Sequence, residues 1–267
     1  MTLLIYLLIG AAAGFTAGLF GVGGGLTIVP ILYLVFLQQG YDPSIVMHMA
    51  LGTSLATIMV TSISSLSAHH KKGAVLWQVF RNLAPGLVVG AFLGAGIADL
   101  LPTHGLQLII GLFALWVAWR MFRTAQVQID LNSKLPSKVA QVGAGAGAGI
   151  GVASAIFGIG GGSLTVPYLN RHGVVMQNAV ATSAACGLPI AIAGALGFMW
   201  FGVQTQPIKG AVGYVHIYAF IGISVMSFIT AKLGAKVAHQ LSPAILKKCF
   251  AGLLSVVGVF FVYKGFF

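Results

Sequence analysis

The hydrophobicity pattern divides the chain into ten apolar segments separated by short polar stretches. The segments lack the strict apolar–polar alternation of barrel strands, so we expect helices. One long polar stretch, residues 123–138, divides the segments into two groups of five. Their approximate ranges are 2–20, 26–37, 45–68, 79–98 and 104–122, followed by 139–157, 163–170, 175–201, 212–238 and 243–263.

The two groups of segments repeat one another. Phe20–Pro30 (FGVGGGLTIVP) returns 137 residues later as Phe157–Pro167 (FGIGGGSLTVP). Three shorter matches follow in the same order: Thr53-Ser54 with Thr182-Ser183, Lys72–Val75 with Lys209–Val212, and Leu93–Ala95 with Leu233–Ala235. We therefore divide the chain into a first membrane repeat over 1–123, a cytoplasmic linker over 124–138 and a second membrane repeat over 139–267.

The basic residues indicate that the second repeat is inverted. Five is an odd number, so the second group should enter the membrane from the side opposite to the first. Under this arrangement twelve basic residues fall on one side, and only Lys209 and Lys264 fall on the other. The twelve are Lys71, Lys72, Arg81, Arg120, Arg123, Lys134, Lys138, Arg171, Lys232, Lys236, Lys247 and Lys248. Since cytoplasmic loops are enriched in Lys and Arg, we expect both termini to be periplasmic or extracellular.

The segments that follow the glycine clusters are too short to span a bilayer. A transmembrane helix needs about 20 residues, whereas Leu26–Leu37 has 12 and contains Pro30, which we expect to interrupt it. The counterpart Ser163–Asn170 is shorter still. We expect two re-entrant hairpins that enter from opposite faces and bring their glycine tips together near the midplane. The predicted fold is an all-α polytopic membrane protein of two inverted five-segment repeats, with about eight full transmembrane helices.

The composition supports a membrane protein. The chain is 58% hydrophobic and 6% charged, with a mean hydropathy of +0.99, whereas about 25% of the residues of a soluble domain are charged. The net charge of +11 follows the pattern of orientation signals, so no nucleic-acid partner is expected. The chain contains no carboxylate pair, nucleophile–base pair or metal-ligand cluster, so we predict no enzyme, no metal and no cofactor.

The glycine tips are suited to an anion. Unwound backbone within a membrane is tolerated where it is buried or lines a cavity, and paired broken helices in two inverted halves indicate a transporter site. The first amides of each following helix lack internal partners and carry a partial positive charge. The candidate substrate-binding residues are Gly21, Gly23, Gly24, Gly25, Thr27, Thr53, Ser54, Gly158, Gly160, Gly161, Gly162, Ser163, Thr165, Asn178, Thr182 and Ser183.

Each of these features also has a purely structural interpretation. The glycines would serve close helix crossing, and membrane Ser and Thr side chains often bond only their own helix. His48 and His216 are candidates for proton coupling, although a lone histidine placed like His48 is more often a helix-end group, and His216 is the weaker candidate. Because the acids are only Asp42, Asp99 and Asp130, and none lies clearly within a span, a carboxylate proton relay is not expected.

The motifs resemble a known family. The paired glycine motifs, each followed by Val-Pro, are similar to the signature of the TauE/SafE (sulfite exporter) family. Ala50–Ser54, His69–Gly73 with Trp77, and Gly213–Val215 also resemble the family pattern. The resemblance covers essentially the whole chain. It implies an inner-membrane permease, usually an exporter, of sulfite, sulfoacetate and related sulfonates.

We therefore predict a multi-pass inner-membrane exporter of small sulfur-containing or organic anions that works by alternating access between the glycine tips. The alternative is an anion channel, or a permease for another organic acid. The expected partners are the small anionic substrate and the lipid bilayer, and this architecture also allows a homodimer.

Overall fold

The chain is helical almost throughout. The computed structural model describes residues 2–20, 24–123, 143–204, 208–238 and 243–266, and this part forms ten α-helices. Gly21, Gly23 and the linker 124–138 lie outside the described residues. The helices are α1 Thr2–Phe20, α2 Gly25–Gln38, α3 Val46–Lys71, α4 Trp77–Leu100, α5 Thr103–Arg123, α6 Ala144–Phe157, α7 Gly162–Arg171, α8 Met176–Gly202, α9 Ile217–Ala238 and α10 Pro243–Phe266.

A small β-hairpin is the one departure from an all-α fold in the described ranges. Strands β1 (Ala211–Val212) and β2 (Val215–His216) pair antiparallel, so the ninth helix begins at Ile217 and not at residue 212 as predicted. The turn between the strands includes Gly213 at a φ of 55°, which side-chain-bearing residues rarely adopt. Apolar composition alone did not reveal this break, because Ala211–Val215 is as apolar as a helix.

The proline of the second segment does not interrupt it. Pro30 lies inside α2, which continues to Gln38, so the predicted interruption is wrong. Pro167 occupies the matching place inside α7. Each proline removes one helical donor in the turns next to a glycine cluster, but its fixed φ is compatible with helix.

Helix length and burial distinguish helices at the centre of the bundle from helices at its periphery. In the described residues five helices are long and apolar enough to cross a membrane, namely α3, α4, α5, α8 and α10, whereas the sequence predicts about eight. The most apolar window is 78% buried in α3 and 67% in α8, but only 33% in α5 and α10. The helices α3 and α8 therefore form the centre, and α5 and α10 expose apolar side chains such as Trp119 and Val256 to the surroundings.

Polar contacts define two ends of the helix bundle. At the first, which we call the Asp99 end, the Tyr6 hydroxyl donates to Gln39 Oε1 (2.7 Å) and the Tyr214 hydroxyl donates to Asp99 Oδ1 (2.8 Å). These bonds join the start of α1, the loop after α2, the end of α4 and the β-hairpin. The opposite, Arg171 end contains the C-terminus of α7 and the turn between α3 and α4.

The helices of the two halves pack on one another through small residues. Helix α1 lies along α9, α6 along α4, and α5 along α10. In the α4–α6 pair, Gly90 lies against the carbonyl group of Ala148, and Gly94 lies against Val152 one turn further. Such close backbone approach replaces hydrophobic driving force where lipid surrounds the helices.

Gly90→Ala should destabilise this helix pair. The new Cβ would overlap the Ala148 carbonyl, and relief by separating α4 from α6 should cost about 1–3 kcal/mol. We expect the thermal unfolding midpoint in detergent to fall by roughly 5 °C. Gly252→Ala is the control, because no atom beyond the nearby backbone of its own helix lies within 4 Å of its Cβ position and Ala favours helix. Equal midpoints in the two variants would contradict this view of the α4–α6 contact.

Candidate functional site

The two glycine clusters adopt the same backbone conformation where they end. Gly24 has φ 76° and ψ −13°, and Gly161 has φ 76° and ψ −16°. These left-handed values suit glycine. Each residue is the N-cap of the helix that follows, α2 or α7, and neither provides a side-chain cap. Both helices therefore begin with uncapped amides at a glycine turn.

The structure places the two glycine clusters directly against each other. A Cβ on Gly25 would overlap the carbonyl oxygen of Gly158 and lie 3.0 Å from Ile159 Cα. The Ser54 hydroxyl of α3 donates to that same Gly158 oxygen at 3.0 Å. On α8, a Cβ on Gly187 would lie 2.7 Å from the carbonyl oxygen of Gly160. The clusters thus meet beside the central turns of α3 and α8.

Buried hydroxyl groups without partners surround the second glycine cluster. The side-chain oxygens of Ser154, Ser163 and Thr165 are buried and have no hydrogen-bond partner in the described structure. Ser154 and Thr165 are fully buried. A Cβ on Gly161 would lie 2.6 Å from Ile190 Cδ1, 3.4 Å from Thr165 Oγ1 and 3.8 Å from Ser154 Oγ. Both hydroxyls therefore lie close to this glycine, in a site that Ile190 packs against.

Backbone amides complete this polar environment. The first amides of α7 that bond within the helix are those of Leu164 and Thr165, which donate to Gly161 O. The amides of Gly162 and Ser163 precede them and carry the positive end of the helix dipole. Buried hydroxyls without partners are costly. Hydroxyl and amide donors together match a bound oxyanion.

The first glycine cluster is less polar at the equivalent positions. Counting 137 residues back, Ser154 becomes Ala17 and Thr165 becomes Ile28. The nearby Thr27 hydroxyl is already satisfied, since it donates to Gly24 O at 2.7 Å. Sequence reasoning missed Ser154. Comparison of the two copies position by position would have revealed it, because the substitution lies just before the glycine motif.

The paired threonines hold the two halves together. Thr53 Oγ1 accepts a hydrogen bond from the amide of His216, and Thr182 Oγ1 accepts one from the amide of Leu76, each at 3.0 Å. His216 and Leu76 are the residues that precede α9 and α4. Both predicted site residues therefore use their hydroxyls to fix the N-termini of helices in the other half.

The remaining predicted residues of α8 differ in position. Ser183 is buried, and its hydroxyl has no partner in the described part of the chain. It lies one helical turn before Gly187, on the face toward the glycine clusters. Asn178 is half-buried in the first turn of α8, about 13 Å along the helix from Gly187, and this distance separates it from the clusters.

The two candidate histidines cap helices. His216 Nδ1 accepts from the amide of Ala219 (3.1 Å), so its Nε2 carries the proton and donates to the Tyr41 hydroxyl (2.9 Å). His48 Nε2 lies 3.0 Å from Ala98 O and 3.1 Å from Leu101 O, so it donates to the end of α4. His48 Nδ1 has no hydrogen-bond partner among the described residues. A role of either histidine in proton coupling stays a prediction.

The chain is similar to known proteins along almost its whole length. The family model described as sulfite exporter TauE/SafE matches residues 6–261. The chain belongs to the TauE/SafE family. The resemblance predicted from the glycine motifs is therefore confirmed. No solved structure matches the chain.

Several relatives of this TauE/SafE protein are similar over almost their full length. A probable membrane transporter protein of Haemophilus influenzae is 37% identical over 96% of this chain and 97% of its own. A second, of Methanocaldococcus jannaschii, is 27% identical over 96% of this chain and 94% of its own. With the apolar helices, these similarities identify a multi-pass membrane transporter of the TauE/SafE type.

His216 should make the stability of this TauE/SafE protein depend on pH. The residue lies in β2, outside the membrane-spanning helices, and burial lowers its pKa. The unfolded chain therefore binds more protons as pH falls below about 6.5, so stability is present above that value and lost below it. His216→Asn keeps a capping acceptor without the titrating ring.

We expect the thermal midpoint of the wild type to fall further than that of His216→Asn between pH 7.5 and pH 5. His104→Asn, which removes an exposed histidine of the same end, is the control. If the His216→Asn midpoint falls as steeply as the wild-type midpoint, the capping role is wrong.

Proposed function

We propose that this TauE/SafE protein is a secondary transporter that exports small sulfur-containing oxyanions such as sulfite, sulfoacetate or other sulfonates. The observation that carries the proposal is the second glycine cluster. It combines the uncapped N-terminus of α7 with the buried, unpartnered hydroxyls of Ser154, Ser163 and Thr165.

The chemistry of this cluster favours an anion over a cation. Its donors are amides and hydroxyls, which stabilise an oxyanion without a formal positive charge. Of the three acids, Asp42 and Asp99 belong to the Asp99 end, and Asp130 lies outside the described residues. A cation would find carbonyl and hydroxyl oxygens here but no nearby carboxylate from the described chain.

The packing of the helices supports an inverted-repeat mechanism. Helix α1 packs on α9, and their counterparts in the other half, α6 and α4, pack on each other, so the two contacts are equivalent when the halves are exchanged. The threonine bonds are reciprocal in the same way. Two hairpins that open toward opposite ends could expose the shared glycine region to each side in turn. With the excess of Lys and Arg on one side, we place the Arg171 end in the cytoplasm of the cell and both termini in the periplasm.

Flux measurements test the proposed function. The purified protein in liposomes should carry sulfite, sulfoacetate or taurine with saturable kinetics and show counterflow of labelled substrate. Unsaturated, electrogenic currents would indicate the alternative, an anion channel. If the protein neither binds nor transports these compounds and also fails with other organic acids, the proposed anion transport is wrong.

Ser154→Ala and Thr165→Val should weaken substrate affinity. Each removes one hydroxyl with little change of volume, and a hydrogen bond to a charged group contributes about 1.5–3 kcal/mol. We therefore expect the KM for flux to rise roughly tenfold or more in each variant. The control is Ser255→Ala, because the Ser255 hydroxyl bonds only the Ala251 carbonyl of its own helix at 2.9 Å. Wild-type KM values in both site variants would exclude the second glycine cluster as the substrate site.

A further inference from the structure

A groove leads from the second glycine cluster to the Arg171 end. It lies between α5, α6 and α7 and has a volume of about 260 Å³. Ala153 and Ser163 line its inner part, and Arg120, Tyr168 and Arg171 line its outer part. The inner part therefore adjoins Ser154 and the first turn of α7, where we place the substrate.

The outer part of the groove is basic. Arg171 is the last residue of α7 and is exposed, and Arg120 lies in the last turn of α5. The Arg120 guanidinium stands 5.5 Å from the centre of the Trp116 ring, an arrangement in which a cation and an aromatic face attract each other. Two guanidiniums at the mouth of a concave surface concentrate anions there.

The first hairpin lacks the polar residues of this groove. The positions that correspond to Ser163, Tyr168 and Arg171 hold Leu26, Ile31 and Leu34. Leu34 is 41% exposed, as expected for a side chain that faces lipid. The basic groove is thus found beside the second hairpin, at the Arg171 end of the helix bundle, and the first hairpin has no counterpart of these residues.

We propose that the Arg120–Arg171 groove is an oxyanion-binding vestibule through which the transported anion reaches the second glycine cluster from the Arg171 end. This inference rests on the proposed function. Pockets that bind drug-sized molecules have volumes of about 300–1,000 Å³. The smaller volume of this groove suits a smaller ligand. The guanidinium fork suits sulfonate or carboxylate oxygens.

The vestibule predicts an effect on one side of the membrane only. In everted vesicles, whose cytoplasmic face is outward, Arg171→Gln should raise the KM for sulfoacetate or sulfite about three- to tenfold, and added salt should reduce the difference. In right-side-out vesicles the KM should stay at the wild-type value. Arg171→Lys keeps the charge and should restore most of the affinity.

Arg123→Gln is the matched control. It removes the same charge at the end of α5, but Arg123 lies over the Trp119 ring at 4.7 Å and does not line the groove. If the wild type shows saturable flux while Arg171→Gln and Arg123→Gln share one KM from both sides, the vestibule is wrong and the transport function stands. If the wild type moves no anion, both proposals fail.

Lipid composition distinguishes the transported anion from a lipid headgroup. The assay is repeated in liposomes of phosphatidylcholine alone and with added phosphatidylglycerol. An Arg171→Gln effect of equal size in both supports the vestibule. An effect that requires phosphatidylglycerol would assign the groove to an anionic headgroup and overturn the proposal.

Discussion

Unpaired backbone groups cannot face lipid, and this constraint governs the whole arrangement. The chain breaks its helices at two glycine clusters, and each break leaves amides and carbonyls without helical partners. The structure buries Gly24, Gly25 and residues 158–161 beside α3 and α8, the most enclosed of the long apolar helices that it describes. Ser54 donates to one of the freed carbonyls, at Gly158. The long central helices α3 and α8 therefore have two roles: they span the membrane, and they cover the unpaired backbone groups of the glycine clusters.

The central helices α3 and α8 also hold the two halves of the chain together. The N-terminus of α9 is held by Thr53 and that of α4 by Thr182, and the two threonines belong to the central helices. A movement of either hairpin relative to α3 and α8 would therefore act on a framework whose crossing points are hydrogen-bonded. Under the proposed transport function, such a framework favours movement of the hairpins around a fixed site over rotation of one whole half against the other.

Much of this organisation could be predicted from the sequence, and the failures have physical causes. The ten segments and the close approach of the glycine clusters follow from hydrophobic length and from repeated motifs, which are local signals. The β-hairpin before Ile217 was missed because its strands are apolar and only two residues long. The use of Thr53 and Thr182 as acceptors for distant amides depends on tertiary neighbours. Nothing in a Thr-Ser pair distinguishes that use from lining a binding site.

The candidate site shows a similar division. The glycine clusters can be recognised from composition alone, whereas Ser154 resembles any other small residue in a membrane helix. Comparison with Ala17 in the first copy singles it out, but only the structure shows that its hydroxyl is buried without a partner near Gly161. The difference between the hairpins was visible at Ser163 from the sequence. The structure shows that this difference between the hairpins extends from Ser154 to Arg171, along the groove between α5, α6 and α7.

The pairing of α1 with α9 has a consequence for biosynthesis. Helix α1 leaves the ribosome long before the helix along which it packs, because that helix does not begin until Ile217. Until then its Gly10 and Gly14, which lie against the backbone of Ile223 and Ser227 in the finished fold, have no protein surface to meet. Helix α1 must therefore wait in the bilayer, or beside the insertion machinery, with this glycine face uncovered by α9. The last fifth of the chain would decide whether the membrane tolerates this early intermediate or degrades it.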